Sequence, residues 1–152
     1  FINSPLGITK IVGDENGISE ISVTSEGEVS KTIPLELQEA AKQLSDYFDG
    51  KRKDFNFKLN PKGTDFQQKV WQELLNIPFG KTISYLDLSK KLGDVKAIRA
   101  VASANGKNPL WIVVPCHRVI GTDGSLTGYA GGLWRKKWLL EHENPTNQQS
   151  LF

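Results

Sequence analysis

The chain has 152 residues, a net charge of +2 and a single cysteine, enough for one ordinary domain or two small ones. An apolar share of 38% with four Trp and seven Phe can supply a core and argues against disorder. One Cys excludes an internal disulfide and a cysteine-based zinc cage. The longest apolar run, Leu110 to Val114, is too short to span a bilayer. Phe1-Ile2-Asn3-Ser4-Pro5 has neither the basic region nor the apolar stretch of a secretory signal. The expectation is a cytoplasmic protein with no membrane partner.

The net charge hides an asymmetry. Up to Leu59 there are seven Lys+Arg against ten Asp+Glu, and from Asn60 onward twelve against seven. A basic C-terminal part suits a polyanion partner, although ordinary surface solvation fits as well.

The first region opens with two β-like runs, Thr9 to Val12 and Ile18 to Val23, around a turn at Gly13 to Gly17. Pro34 then starts a helical pattern that places Leu37, Ala41, Leu44 and Phe48 on one face and stops at Gly50. A short strand is expected over Phe55 to Leu59. Residues 1–59 therefore read as a small mixed α/β domain, and Asn60-Pro61-Lys62-Gly63 as the linker.

A second domain is expected over 60–145. Thr64 caps a helix, with Gln67 completing a capping box, and Phe66, Val70 and Leu74 form its apolar stripe. Pro78-Phe79-Gly80 ends that segment. Ser84 caps a short helix with Tyr85, Leu88 and Leu92 facing inward and Gly93 at its end. A second helix, from about Val95 to Asn105, turns Ile98, Val101 and Ala102 inward. Its outward stripe is Lys96, Arg99, Ser103 and Lys107. Two short helices of which the second carries a basic face read as a helix-turn-helix. Residues 146–152 are expected to be a flexible tail.

Val114-Pro115-Cys116-His117-Arg118-Val119-Ile120 carries the chemistry. A thiol attacks as its thiolate, so a reactive Cys needs a proton acceptor and a favourable field. His117 can accept the proton if a carboxylate fixes its far nitrogen. Neighbours in an extended strand point apart, but Pro115 permits a turn that brings Cys116 and His117 together. From the residues alone, a buried Cys beside a surface His stays open.

That segment resembles the active-site signature of the O6-alkylguanine-DNA alkyltransferases. The resemblance extends upstream through Thr82-Ile83-Ser84-Tyr85, Arg99-Ala100-Val101 and Asn108-Pro109. Downstream it takes in Gly128-Tyr129-Ala130-Gly131-Gly132-Leu133 and Trp138-Leu139-Leu140-Glu141-His142-Glu143. It covers nearly all of Gly63 to Glu143, and Ser4-Pro5-Leu6-Gly7 is similar to the family's opening. It implies a ribonuclease H-like α/β domain followed by a mostly helical winged helix-turn-helix domain. It also implies DNA repair by irreversible, single-turnover transfer of an alkyl group from O6-alkylguanine, and more weakly from O4-alkylthymine, to the protein's own cysteine.

Residue by residue, the resemblance makes Cys116 the acceptor, His117 its base acting through a water, and Glu143 the group that orients His117. Asn108 pins the turn before the reactive segment, and Tyr85 presses on a phosphate or donates its proton to the base. Arg99 enters the base stack where the damaged nucleotide has rotated out, because the target atom lies inside the duplex. Ala97 and Ser103 lie on the same helix, whose small residues suit close approach to a minor groove. Val119, Tyr129 and Ala130 line the guanine pocket. No metal and no organic cofactor are implied, and the N-terminal zinc ligands of some relatives have no counterpart here.

The implied partner is double-stranded DNA, bound by a monomer. The tail segment Gln148-Gln149-Ser150-Leu151-Phe152 also resembles peptides that bind the replication sliding clamp, with Gln148, Leu151 and Phe152 as its anchors. Two other functions compete. A non-enzymatic relative that only binds alkylated bases would lack the acceptor cysteine. A plain helix-turn-helix regulator would leave Cys116, His117 and Glu143 unexplained.

Overall fold

The computed structural model describes residues 1–145; the expected tail and its clamp-like segment lie outside the described residues. The chain divides into two compact units, one ending at Lys62 and the other beginning at Gly63.

The first unit is built on a three-stranded antiparallel sheet, β1 (Ile2–Ser4), β2 (Gly7–Asp14) and β3 (Gly17–Thr24), in the order β1-β2-β3. The expected hairpin turn tightens to Glu15-Asn16, because Asp14 pairs with Gly17. The Asp14 carboxylate accepts the Asn16 backbone N–H at 2.8 Å, and Gly17 takes a φ of 127° that only glycine adopts freely. Helix α1 (Leu35–Phe48) contacts all three strands and buries Ala40, Ala41, Leu44, Tyr47 and Phe48.

The expected strand at Phe55 to Leu59 does not form; its one ladder contact is a bridge from Leu59 to Ile18. The alternating Phe55 and Phe57 serve an aromatic cluster instead: Phe55 lies 5.5 Å from the Tyr47 ring and 5.9 Å from Phe57. Gln43, itself buried, accepts the Asn56 backbone N–H at 3.1 Å and fixes the segment against α1.

The second unit is mostly helical. Helix α2 (Asp65–Leu74) starts with the expected capping box between Thr64 and Gln67. Val70 and Leu74 are fully buried as the periodicity demands, but Phe66 is exposed. Trp71 takes the core position in its place, with its indole N–H donating to the Ala104 carbonyl at 2.9 Å.

Strand β4 (Ile83–Ser84) leads directly into α3 (Tyr85–Lys91), whose first turn is capped by the Ser84 hydroxyl. A single 3-10 turn, Val95–Ala97, then opens onto α4 (Ile98–Gly106). Thus the expected second helix begins with three tighter residues, its N-terminus capped by Asp94. Strand β5 (Val119–Ile120) pairs parallel to β4, with Ile83 opposite Val119 and Ser84 opposite Ile120. Helix α5 (Leu133–Glu143) completes the unit, entered through Gly132 at a φ of 92°. No helix among the described residues is long and apolar enough to cross a membrane.

Candidate active site

The reactive segment follows α4 through a loop that side-chain amides hold in shape. Buried Asn108 donates from Nδ2 to the Val114 carbonyl at 2.7 Å and accepts the Leu110 N–H at 2.9 Å. Ile112, inside this loop, sits at a φ of 75° although it is β-branched. Such a conformation costs about 1–3 kcal/mol and persists only where the surroundings enforce it. Asn105, on the last turn of α4, donates to the Cys116 carbonyl at 3.4 Å.

After Pro115 the chain makes one 3-10 turn, Cys116–Arg118, with all three residues buried. The turn removes the strand geometry that would separate Cys116 from His117. The His117 ring is fully buried and its Nε2 lies 2.8 Å from Glu143 Oε2. Facing a carboxylate, Nε2 carries the proton and donates it, which leaves Nδ1 as an acceptor. Nδ1 meets no hydrogen-bond partner among the described residues.

Glu143 is also gripped by Arg118. The guanidinium donates to it through Nε at 2.8 Å and Nη2 at 2.9 Å, while Nη1 reaches the Ile77 carbonyl at 2.6 Å. Burial alone would raise the Glu143 carboxyl. Its interactions with His117 and with the Arg118 guanidinium outweigh it and hold the group far below the usual carboxylate range. Glu143 is therefore a carboxylate at every physiological pH. Burial pushes the Cys116 thiol up to about 11, against a smaller lowering by Asn108 and Lys136. At rest it is a protonated, inert thiol, so any attack by sulfur needs its proton removed during the reaction.

Beside this turn lies a cavity of about 450 Å³, whose lining includes Tyr85, Asn105, Trp111, Cys116, Tyr129 and Ala130. The β4–β5 pairing places Tyr85, the first residue of α3, next to the reactive turn. Its phenol is raised chiefly by burial, against a smaller lowering by the Thr127 and Asn105 side chains. The Tyr129 ring lies 5.7 Å from the Trp111 ring and is tilted 51° to it. Gly131 fits against these two rings, where an added Cβ would stand 2.9 Å from each.

The structure thus joins His117 to Glu143 in one buried cluster, with Cys116 buried beside His117 in the same 3-10 turn. Tyr85, Tyr129 and Ala130 join Cys116 at the cavity, with Asn108 also in its lining. Val119 does not line it; fully buried, it contributes its carbonyl to Lys136. Arg99 and Ser103 are exposed on α4 and Ala97 is half-buried, all three outside the cavity. The sequence reading passed over Arg118, Lys136, Trp111, Asn105 and Thr127. Arg118 stood inside the quoted motif, but its partner lies 25 residues further on.

Two family models match the chain. "6-O-methylguanine DNA methyltransferase, ribonuclease-like domain" covers residues 1–61, and "6-O-methylguanine DNA methyltransferase, DNA binding domain" covers residues 65–145. A methylated-DNA–protein-cysteine methyltransferase of Methanosarcina barkeri is 44% identical over 150 residues, 94% of each chain. A constitutive one of Bacillus subtilis is 46% identical over 138 residues, 84% of this chain and 83% of that one. The crystal structure of Mycobacterium tuberculosis OGT in complex with DNA is 41% identical. It superposes with a TM-score of 0.86 over 99% of this chain and 96% of that one.

Proposed function

Since the chain belongs to the 6-O-methylguanine DNA methyltransferase family, we propose that it repairs DNA by moving the alkyl group of O6-alkylguanine onto its own Cys116. The observation that carries this reading is the buried cluster in which Glu143 holds His117 by Nε2 and leaves Nδ1 free to accept a proton.

In this mechanism a water between Cys116 and His117 Nδ1 relays the thiol proton to the imidazole. Glu143 and Arg118 fix the ring and steady the imidazolium. The sulfur then attacks the alkyl carbon. A C–S bond forms, the C–O6 bond breaks, and the electron pair stays on the guanine. That product takes up one proton, which the Tyr85 phenol in the cavity lining can give. The thioether has no good leaving group, so each molecule acts once. O4-alkylthymine offers the same carbon–oxygen bond and is the weaker substrate. A duplex bearing a radioactive methyl on guanine O6 tests the reading. One label per protein, resistant to denaturation, is expected; no covalent label overturns it.

DNA is the partner. The exposed basic stripe of α4, with Arg99 and Ser103 on it and the small Ala97 at its start, supports approach through the minor groove by a monomer. Arg99 fills the gap left by the rotated nucleotide, since a planar guanidinium both stacks and pairs with the orphaned base. Arg99→Ala is expected to slow repair in duplex DNA while leaving transfer from free O6-benzylguanine nearly unchanged. Equal losses on the two substrates would place Arg99 in the pocket or the fold. A purely phosphate contact would instead lower the salt slope without regard to the lesion.

Alkylation also alters the protein. A methyl on Cys116, which is 5% exposed, adds volume where the sulfur meets the buried residues behind the cavity wall, and overpacking costs about 1–3 kcal/mol. The methylated protein is expected to melt at a lower temperature than the free one, by calorimetry. An unchanged or higher melting temperature would contradict this.

Binding of the tail to a sliding clamp, with Gln148, Leu151 and Phe152 as anchors, is a separate proposal that rests on the sequence alone.

A further inference from the structure

Helix α5 carries an apparent surface run, Arg135-Lys136-Lys137, yet Lys136 is fully buried. Its ammonium donates to three backbone carbonyls: Val119 at 2.6 Å, Thr127 at 2.6 Å and Gly128 at 3.3 Å. Val119 immediately follows the reactive turn in β5, and Thr127 and Gly128 form part of the cavity wall. We propose that Lys136 is a positioning residue for alkyl transfer, a buried cation that ties the Thr127–Gly128 wall of the cavity to the strand following Cys116. The inference deepens the transfer reading above and rests on it.

The stoichiometry of the contact demands the charged form. An ammonium has three N–H donors, one for each carbonyl, whereas a neutral amine has two and leaves one of the three contacts unmade. Lysine is costly to bury, and an apolar residue would fill the same space without that penalty. The ammonium also supplies positive charge near the thiol: Lys136 favours the Cys116 thiolate, and a thiolate in turn favours charged Lys136. Deprotonating Cys116 therefore strengthens the staple until the C–S bond takes up the sulfur's charge.

Burial lowers the ammonium to about 8. The titratable groups that face it are Cys116 on the reactive turn and Tyr85 on α3, whose ring centre is 6.0 Å from Nζ. β5 and the loop contribute Val119, Thr127 and Gly128, none of which titrates. Because its value in the fold is depressed, Lys136 is charged below about pH 8 and loses its third donor above it.

The test is single-turnover methyl transfer from an O6-methylguanine duplex, followed across the neutral and alkaline range with saturating DNA. The wild-type rate should bend downward near the Lys136 value. Lys136→Met, of similar length but uncharged, should transfer about tenfold to a hundredfold more slowly at neutral pH. It should show no bend, with affinity for lesion DNA changed far less. Lys136→Arg, which stays charged throughout, should recover much of the rate and also lose the bend. Circular dichroism identifies the folded variants, and either one suffices. A bend that persists in a folded variant, or a wild-type profile without one, overturns the role of Lys136. Wild-type protein that takes up no methyl at any pH overturns the transfer reading itself, and this inference with it.

Discussion

Cys116→Ser is expected to bring alkyl transfer below detection while binding to lesion DNA stays within a few-fold of the wild type. The substitution exchanges one atom at the floor of the cavity and leaves Tyr85, Tyr129, Ala130 and the exposed face of α4 in place. A hydroxyl is a weak nucleophile at neutral pH, and attack on an alkyl carbon favours the more nucleophilic sulfur. A neighbouring base would have a harder proton to remove, since a hydroxyl is a far weaker acid than the thiol, which burial itself holds up to about 11. Gel-shift binding and label transfer measured on the same preparation check both halves. Transfer by the serine variant near the wild-type rate would remove Cys116 from its role.

Glu143→Gln is expected to fail in two separable ways. The glutamine amide can accept from His117 Nε2 but carries no charge to steady the imidazolium, so the rate should fall by about 10²–10⁴-fold, the usual worth of positioned acid–base catalysis. It also strands the Arg118 guanidinium, which holds Glu143 at 2.8 and 2.9 Å with an exposure of only 6%. Breaking a buried ion pair on one side costs about 3–5 kcal/mol.

The pH dependence separates the charge from the packing. In the folded protein the Glu143 carboxyl is held below its unfolded value, so its contribution is fully present above the ordinary carboxylate range and is lost as pH falls through and below that range. The stability gap between wild type and variant, from urea melts, should therefore narrow under acid. A gap that stays constant, or a transfer rate unchanged in the variant, would contradict the assignment.

What the sequence could reveal here depended on the range of each interaction. The capping box of α2 was legible because both partners lie within four residues of each other. The hairpin and the basic face of α4 were legible from periodicity. Phe66 was misplaced because a four-residue stripe through Val70 and Leu74 admits either Phe66 or Trp71, and the choice turns on the distant Ala104 carbonyl. The strand expected at Phe55 to Leu59 had the right alternation, but its aromatics pack on α1 instead of entering the sheet.

In the site, Cys116 and His117 stood out as neighbours in one short segment, and Glu143 through the family resemblance. Arg118 and Lys136 were not, because a charged side chain reads as solvated unless its buried partners are known, and those partners come from other segments. Trp111 and Thr127 were hidden for the same reason: they meet Tyr129 and Tyr85 only after the chain has folded.

Mass spectrometry of the intact protein after exposure to an excess of duplex containing O6-methylguanine tests the central claim most directly. The account predicts that the whole population gains the mass of one methylene and no more, and that peptide fragmentation places it on Cys116. An unchanged mass, or a methyl located on any other residue, would contradict it.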